Sequence, residues 1–359
     1  MNKKIKFLIA DITYIGGIER VNTIIANKFY NSGFDIEIIS LYKSNEYINY
    51  DIDKNISIKY INKKPYTGKP GSISRLIRHL KLSFSLCKYL YKCKDYTLIV
   101  NSFPMAFLAF PYVLSKKNSI VVEHVYSHYY RSSIRLLRSL IYKKYKTIVA
   151  LTDKDIDFYK KNHPNVVKIE NPSSFKSSRT TDLSQKKIIA VGRLEYQKGF
   201  DLLIDSFNTL PYDLKNDWSI DIYGDGSCKK ELDSKIKSLS LEKNILLKGS
   251  INNIQDIYPN YSFFVFPSRF EGFGMVLVEA MECGLPCISY DCPTGPREIL
   301  KNGDYGFLVN NGDIHSFSKK MEIFMNNPDS LHKYSLLSKE RATDFDINKI
   351  FKKWLNILS

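Results

Sequence analysis

A chain of 359 residues and 41.6 kDa, 44% hydrophobic, can fill two ordinary domains of roughly 100–200 residues each, which excludes a small disulfide scaffold and a disordered tail. The net charge of +16 is uneven: residues 1–170 hold 29 Lys and Arg against 13 Asp and Glu, whereas residues 171–359 hold 24 of each. Two halves so different in charge are expected to face different partners.

Lys3, Lys4 and Lys6 precede an apolar run, Phe7 to Ala10, that Asp11 ends at once, so no secretion signal is expected. The longest apolar stretch, Phe103 to Leu114, has 12 residues and two prolines, against the ~20 that span a bilayer. The six cysteines form no CxxC pair and no metal-ligand spacing with histidine, which predicts reduced thiols in a cytoplasmic protein.

Short β-branched runs predict strands at Lys6 to Ala10, Asp35 to Ser40, Thr97 to Val100, Ser119 to Val122 and Thr147 to Leu151, most followed by helical periodicity. Gly16-Gly17 follow the first strand and precede a helix starting near Glu19, where backbone amides can approach a phosphate. A dinucleotide fingerprint is absent there. From Lys54 to Lys94 there are 11 Lys or Arg and no acid. A helix over Ile73 to Cys93 is predicted to set Arg75, Arg78, Lys81, Lys88 and Lys92 against Ile73, Leu76, Leu80, Phe84 and Leu90. A second, Arg131 to Lys146, sets Arg131, Arg135, Arg138 and Lys146 against Leu136, Leu137 and Leu140. Such cations suit an anionic leaflet or a lipid diphosphate; the plain alternative is a solvated face over a core-facing apolar side. Between the two, Glu123-His124 end a strand. Asp153-Lys154-Asp155 follow Thr152 as helix-capping acids rather than a metal motif.

After Pro172 the polar stretch to Gln185 suggests a linker over 171–186. A second strand series follows: Lys187 to Val191, Ser219 to Tyr223, Asn244 to Leu247, Ser262 to Phe266, Pro286 to Tyr290 and Phe307 to Val309. Both halves read as open parallel sheets covered by helices, which puts the expected ligand at the carboxyl ends of their strands, in a cleft between domains. In VGRLEYQKGF a strand ends at Gly192, and Arg193 and Lys198 can clamp a leaving diphosphate; an ordinary charged loop is the alternative. Tyr223-Gly224-Asp225-Gly226 is weak evidence for anything beyond a turn. In FPSRFEGFGMVLVE a strand ends, Gly272 and Gly274 punctuate a turn, and a helix begins around Met275, an arrangement suited to a diphosphate. Glu271 and Glu279 can each accept hydroxyl hydrogens from a ribose or a sugar, unless they are a solvated turn residue and a surface helix position.

Four segments in order, GRLEYQKG, EGFGMVLVE followed by AMECGLPCISYDCPTGPREI, NGDYGFLV and the Gly16-Gly17 loop, make the chain similar over nearly its whole length to the family 4 glycosyltransferases. The resemblance implies an α/β GT-B fold: an acceptor-binding Rossmann-like domain over 1–170, a nucleotide-sugar-binding one over 187–340, and a terminal helix within 341–359 crossing back to the first. It implies a retaining transfer with no metal or other cofactor. Arg193 and Lys198 would hold the donor diphosphate, Glu279 the ribose, and Glu271 would approach the sugar. The amides of Phe273, Gly274, Met275 and Val276 would meet the donor, and His124 would lie near the transferred sugar, although His124-Val125 departs from the family's usual His-Asp or His-Asn. The DCPTGPREI segment resembles enzymes of bacterial surface polysaccharides and lipid-linked oligosaccharides, often using UDP-galactose or UDP-N-acetylgalactosamine; Thr294-Gly295-Pro296 reads equally as a turn and helix cap. The expected partners are a UDP-sugar, a glycan or polyprenyl-diphosphate acceptor and an anionic membrane surface on the cytoplasmic side. Two rivals are another GT-B reaction such as nucleotide-sugar epimerisation, and a non-catalytic polyanion- or nucleic-acid-binding protein, which lacks support from aromatic-basic motifs.

Overall fold

The computed structural model describes residues 3–65, 73–116 and 118–358; within the helix that begins at Ile73, side chains are described from Leu80 on. The chain forms two compact units, Met1–Pro172 with Ile347–Ser359, and Ser173–Asp346.

The first unit is a seven-stranded sheet of β1 (Lys4–Ile9), β2 (Asp35–Ser40), β3 (Ser57–Tyr60), β4 (Tyr96–Asn101), β5 (Ser119–Val122), β6 (Thr147–Ala150) and β7 (Val166–Lys168). Its order is β3-β2-β1-β4-β5-β6-β7, all parallel. The central strands are almost continuously buried, as a sheet covered on both faces requires. The edge strands β3 (SIKY) and β7 (VVK) are only four and three residues long, too short for a strand-length apolar run, and the sequence pattern misses both.

Its helices are α1 (Gly17–Asn31), α2 (Ile73–Lys92), α3 (Phe103–Val113), α4 (Ser132–Tyr142) and α5 (Asp153–Lys160). Residues of α2 to α5 share one core with Leu98, Val100 and Val121 of the sheet. The terminal helix Ile347–Leu358 buries Ile350, Phe351 and Trp354, with Phe351 edge-on to Phe29 of α1 at 4.9 Å.

Both basic helices form, but neither faces as the sequence suggested. In α2 the buried stripe is Leu82, Leu86, Cys87 and Leu90, while Leu80 and Phe84 are exposed beside Lys81, Lys88 and Lys92. The side chains of Arg75 and Arg78 lie outside the described residues. In α4 Arg138 and the leucines exchange sides, while Arg131 and Lys146 stay exposed. Arg138 is 1% exposed, whereas Leu136, Leu137 and Leu140 face solvent. The cause is Glu123 at the end of β5: its buried carboxylate pairs with Arg138 at 3.2 Å and turns that side of α4 inward.

The second unit is a six-stranded parallel sheet in the order β10-β9-β8-β11-β12-β13, formed by β8 (Lys187–Val191), β9 (Ser219–Tyr223), β10 (Ile245–Gly249), β11 (Phe263–Phe266), β12 (Cys287–Asp291) and β13 (Phe307–Asn310). Its helices are α6 (Phe200–Asn208), α7 (Tyr212–Asp217), α8 (Lys229–Ser238), α9 (Met275–Glu282), α10 (Pro296–Ile299), α11 (Ile314–Asn326) and α12 (Pro328–Ala342); the terminal helix of the first unit is α13. A separate core gathers Ile188, Ile220, Val265 and Ile288 with Phe207, Phe317 and Phe324.

The stretch read as a linker over 171–186 is part of this unit from Ser173 on. Thr181 Oγ1 donates to Cys283 O at 2.8 Å, Asp182 N to Pro259 O at 3.0 Å, and Ser262 Oγ to Leu183 O at 2.8 Å. Polar residues here satisfy backbone groups rather than filling a core, so a hydrophobic pattern does not reveal them. Likewise 341–346 belongs to the second unit, where Arg341 donates to Glu298 O and Ile299 O.

Candidate functional site

In each sheet the strand order reverses next to the first strand, between β1 and β4 and between β8 and β11, and ligands of such sheets bind beyond the carboxyl ends of the strands there. The residues singled out in the sequence sit at these two places. Gly16, Gly17 and His124 belong to the first unit; Arg193, Lys198, Glu271, Gly272, Phe273, Gly274, Met275, Val276 and Glu279 belong to the second.

In the second unit the β8 loop is fixed by backbone. Gly192 N donates to Tyr223 O and Leu194 N to Asp225 O, both at 2.9 Å. Gly224, at φ +145°, allows this approach, since a Cβ there would lie 1.8 Å from Gly192 O. The Tyr223-Gly226 segment is thus a buttress for the loop carrying Arg193, which is exposed. A short 3-10 turn, Tyr196–Lys198, then ends at Gly199, whose φ of +65° brings it against Pro267 O at the end of β11. The two loops meet: Lys198 Nζ is 2.6 Å from Glu271 Oε1, with both side chains largely buried. Gln197 Nε2 donates to Phe270 O at 2.9 Å, and Arg269 forms a two-pronged pair with Asp201 at 2.7 and 2.6 Å.

Glu271 is held on its other side too. Thr294 Oγ1 donates to Glu271 O at 2.6 Å, and Pro296 stands at the first position of α10, so Thr294-Gly295-Pro296 supports the Glu271 turn and caps a helix. Gly274, at φ +107°, precedes α9 and supplies no side-chain cap, leaving the N–H groups of Met275 and Val276 without intrahelical acceptors. Phe273 anchors the turn, buried edge-on to Phe345 at 5.9 Å. Glu279 is 1% exposed and accepts from Ser174 Oγ at 2.7 Å, which removes the reading of a surface helix position. Ser174 has no sequence signature; only the fold brings it 105 positions along the chain to Glu279.

In the first unit His124 is held twice. Asn101 Nδ2 donates to Leu8 O at 3.2 Å, which turns Asn101 Oδ1 toward His124 Nε2 at 2.8 Å. A carbonyl can only accept, so this network places the histidine proton on Nε2 and leaves Nδ1 a lone-pair acceptor. Burial lowers the His124 pKa to about 4, so the ring is neutral at pH 7. Its backbone is set by Glu123, whose Oε1 accepts from His124 N at 3.1 Å and Val125 N at 3.3 Å, while Oε2 accepts from Tyr142 Oη at 2.8 Å and from Arg138. Asn101, Arg138 and Tyr142 are thus parts of this site that motif reading missed, because they reach it from two other elements, β4 and α4.

Gly16 and Gly17 start α1, but Glu19 folds back beside them: a Cβ on Gly16 would lie 2.5 Å from Glu19 Oε2. Burial raises the Glu19 carboxyl to about 7, against the hydrogen bond from its own N–H. Asp155 accepts from Ser127 N at 2.9 Å and Thr152 caps α5, so the Asp-Lys-Asp segment serves the fold. Among the described residues, no group of three or more His, Cys, Asp or Glu side chains is placed to hold a metal, and no helix is long and apolar enough to cross a membrane.

An uncharacterized glycosyltransferase of Haemophilus influenzae is 30% identical over 367 residues, covering 99% of this chain and 100% of that protein. An α-1,4-N-acetyl-D-galactosaminyltransferase of Campylobacter jejuni, whose named acceptor is a diacetylbacillosamine-containing trisaccharide on diphosphoundecaprenol, is 25% identical over 99% of this chain and 98% of its own length. The crystal structure of Anabaena HepE with UDP and glucose superposes with a TM-score of 0.80 over 99% of both chains at 18% identity, and so shares the GT-B fold. Residues 173–341 match the family described as glycosyl transferases group 1, which sets aside the non-catalytic polyanion-binding reading. With that match, and a relative at 30% identity over essentially its whole length, the chain belongs to the group 1 glycosyltransferases and is a glycosyltransferase.

Proposed function

We propose that the enzyme transfers a hexose, galactose, N-acetylgalactosamine or a relative, from a UDP-sugar with retention onto a lipid-linked or surface glycan, in polysaccharide biosynthesis at the cytoplasmic side of a membrane. The observation that carries this reading is the junction of the β8 and β11 loops: Lys198 against Glu271, next to the uncapped first turn of α9 and the buried Glu279. A diphosphate entering there meets the Met275 and Val276 amides and the cations Arg193 and Lys198, while Glu279 offers its carboxylate to the ribose diol. Lys198 exchanges Glu271 for phosphate, and Glu271 is released to hydroxyls of the sugar.

As the bond between the anomeric carbon and the β-phosphate oxygen breaks, its electron pair leaves with UDP, toward Arg193 and Lys198, and these cations neutralise the growing charge without a metal or other cofactor. The acceptor hydroxyl then bonds to the same face of the oxocarbenium-like sugar and gives its proton to the departing phosphate. His124, neutral and with Nδ1 as acceptor, takes a hydrogen bond from a sugar hydroxyl. The C. jejuni relative's diphosphoundecaprenol acceptor and UDP in the HepE structure support the donor and acceptor classes. Lys81, Lys88 and Lys92, all exposed, are proposed to meet an anionic membrane surface.

Thermal melting with UDP, GDP, ADP and their sugar conjugates tests the donor. A ligand at ~100 times its dissociation constant adds ~2.7 kcal/mol of stability. UDP and UDP-sugars should shift the melting of the wild type and leave Glu279→Ala unshifted; a shift by another nucleotide alone, or by none, overturns the assignment.

A further inference from the structure

We propose that the outer surface of α2, α3 and α4 is a membrane-docking face whose exposed leucine and phenylalanine side chains enter the hydrocarbon of an anionic leaflet. This deepens the electrostatic membrane contact proposed above and rests on it for the sign of the lipid charge.

The three helices form one layer. Ser83 of α2 donates to Leu108 O of α3 at 2.7 Å, and Phe103 of α3 meets Tyr142 of α4 edge-on at 6.2 Å. Apolar side chains stand out from that layer: Phe84 is 73% exposed, Leu136 65%, Leu80 58% and Leu140 54%. Single exposed leucines are ordinary, but here they flank α3, an eleven-residue helix, FPMAFLAFPYV, without one charged or amide side chain. Phe107 and Phe110 of α3 are only partly buried, so the apolar surface continues between its neighbours.

Charge identifies the occupant. From Lys54 to Thr152 the chain holds 19 Lys and Arg and only two acids, Asp95 and Glu123, and Glu123 is buried against Arg138. A second copy would bring the same cationic face against itself, whereas anionic headgroups complement the cations and hydrocarbon takes the leucines. Lys81 and Lys88 lie beside Leu80 and Phe84 on the exposed side of α2, and their long stems let the ammonium groups stay at headgroup level while the apolar neighbours go deeper.

The test is co-sedimentation of the full chain with phosphatidylglycerol-containing vesicles, at low salt and at about 1 M salt, where surface attraction is screened. Leu136→Ser/Leu140→Ser should lower the vesicle partition coefficient at least about tenfold and remove the salt-resistant part. Leu336→Ser, at a comparably exposed leucine of the second unit, should leave binding unchanged. Unaltered UDP-dependent melting in the leucine variants would show that they fold. Brominated acyl chains should quench the fluorescence of Leu140→Trp. If the leucine variants bind as the wild type does, and only Lys81→Glu/Lys88→Glu and salt abolish binding, the electrostatic contact survives and insertion is overturned. A concentration-dependent dimer lost in the leucine variants, with no vesicle binding by the wild type, would overturn both and assign the face to a second copy.

Discussion

Arg193 and Lys198 carry the same charge five residues apart, yet their surroundings give them different energetics. Arg193 is exposed on a loop held by its backbone, so Arg193→Ala should change stability by no more than about 0.5 kcal/mol while lowering turnover about 100-fold. Lys198 faces Glu271 in a pair only 13% and 8% exposed. Removing one partner of such a pair strands the other, so Lys198→Ala should cost about 3–5 kcal/mol as well as turnover. The double variant Lys198→Ala/Glu271→Ala should regain much of that stability without regaining activity. Urea denaturation beside a transfer assay separates these effects; Lys198→Ala as stable as the wild type would mean the pair is not formed in solution. The sequence displayed both cations and both glutamates because glycine-punctuated loops after apolar runs are local features. Their pairing was not legible, because residues 198 and 271 are brought together only by the neighbouring positions of β8 and β11.

Among elements, α4 shows where periodicity fails. Its three leucines and its arginines separate on a helical projection, which says that the helix is amphipathic but not which side is inward. The deciding group is Glu123, outside the helix, which requires a cation and obtains Arg138, with Arg138 also donating to Ser127 O. The helix β5 leads into therefore serves to hold the connection that bears His124. Arg138→Leu should be destabilising by about 3–5 kcal/mol, since Glu123 would keep its burial without its partner. Arg138→Leu combined with Glu123→Gln should recover part of this, because a neutral amide is less costly to bury unpaired. If Arg138→Leu melts like the wild type, Arg138 does not reach Glu123 and α4 turns its leucines inward after all. The fold class and most strands were legible because parallel strands are short apolar runs, including the edge strands β10 and β13; the edge strands β3 and β7 and the polar stretch 173–186 were not, because β3 and β7 are only four and three residues long and the polar stretch satisfies backbone groups rather than burying side chains.

Over the whole molecule, charge divides by unit more sharply than by half of the sequence: the first unit, with α13, has 32 Lys and Arg against 13 acids, and the second 21 against 24. The cationic unit also holds two groups whose titration should oppose each other. His124 has a folded pKa of about 4 against an ordinary 6.5, so the unfolded chain binds its proton first and stability is lost as pH falls from 6.5 toward 4. Glu19 has a folded pKa of about 7 against an ordinary 4.5, so the folded chain keeps its proton longer and stability is lost as pH rises from 4.5 toward 7. Each group can contribute about 3 kcal/mol across its window, because every tenfold change in proton affinity between the folded and unfolded chain is worth about 1.4 kcal/mol. Their slopes offset each other between pH 4.5 and 6.5, so the wild type conceals both. Neutral replacements should expose them: Glu19→Gln should become more stable than the wild type progressively toward pH 7, and His124→Gln progressively toward pH 4, in urea denaturation across this range. A Glu19→Gln difference that does not grow with pH would mean that the carboxyl beside Gly16 is ionised in the folded protein, with the first turn of α1 already carrying a negative charge. A donor phosphate would then have to enter against that charge, and Gly16-Gly17 could not serve as its anion site.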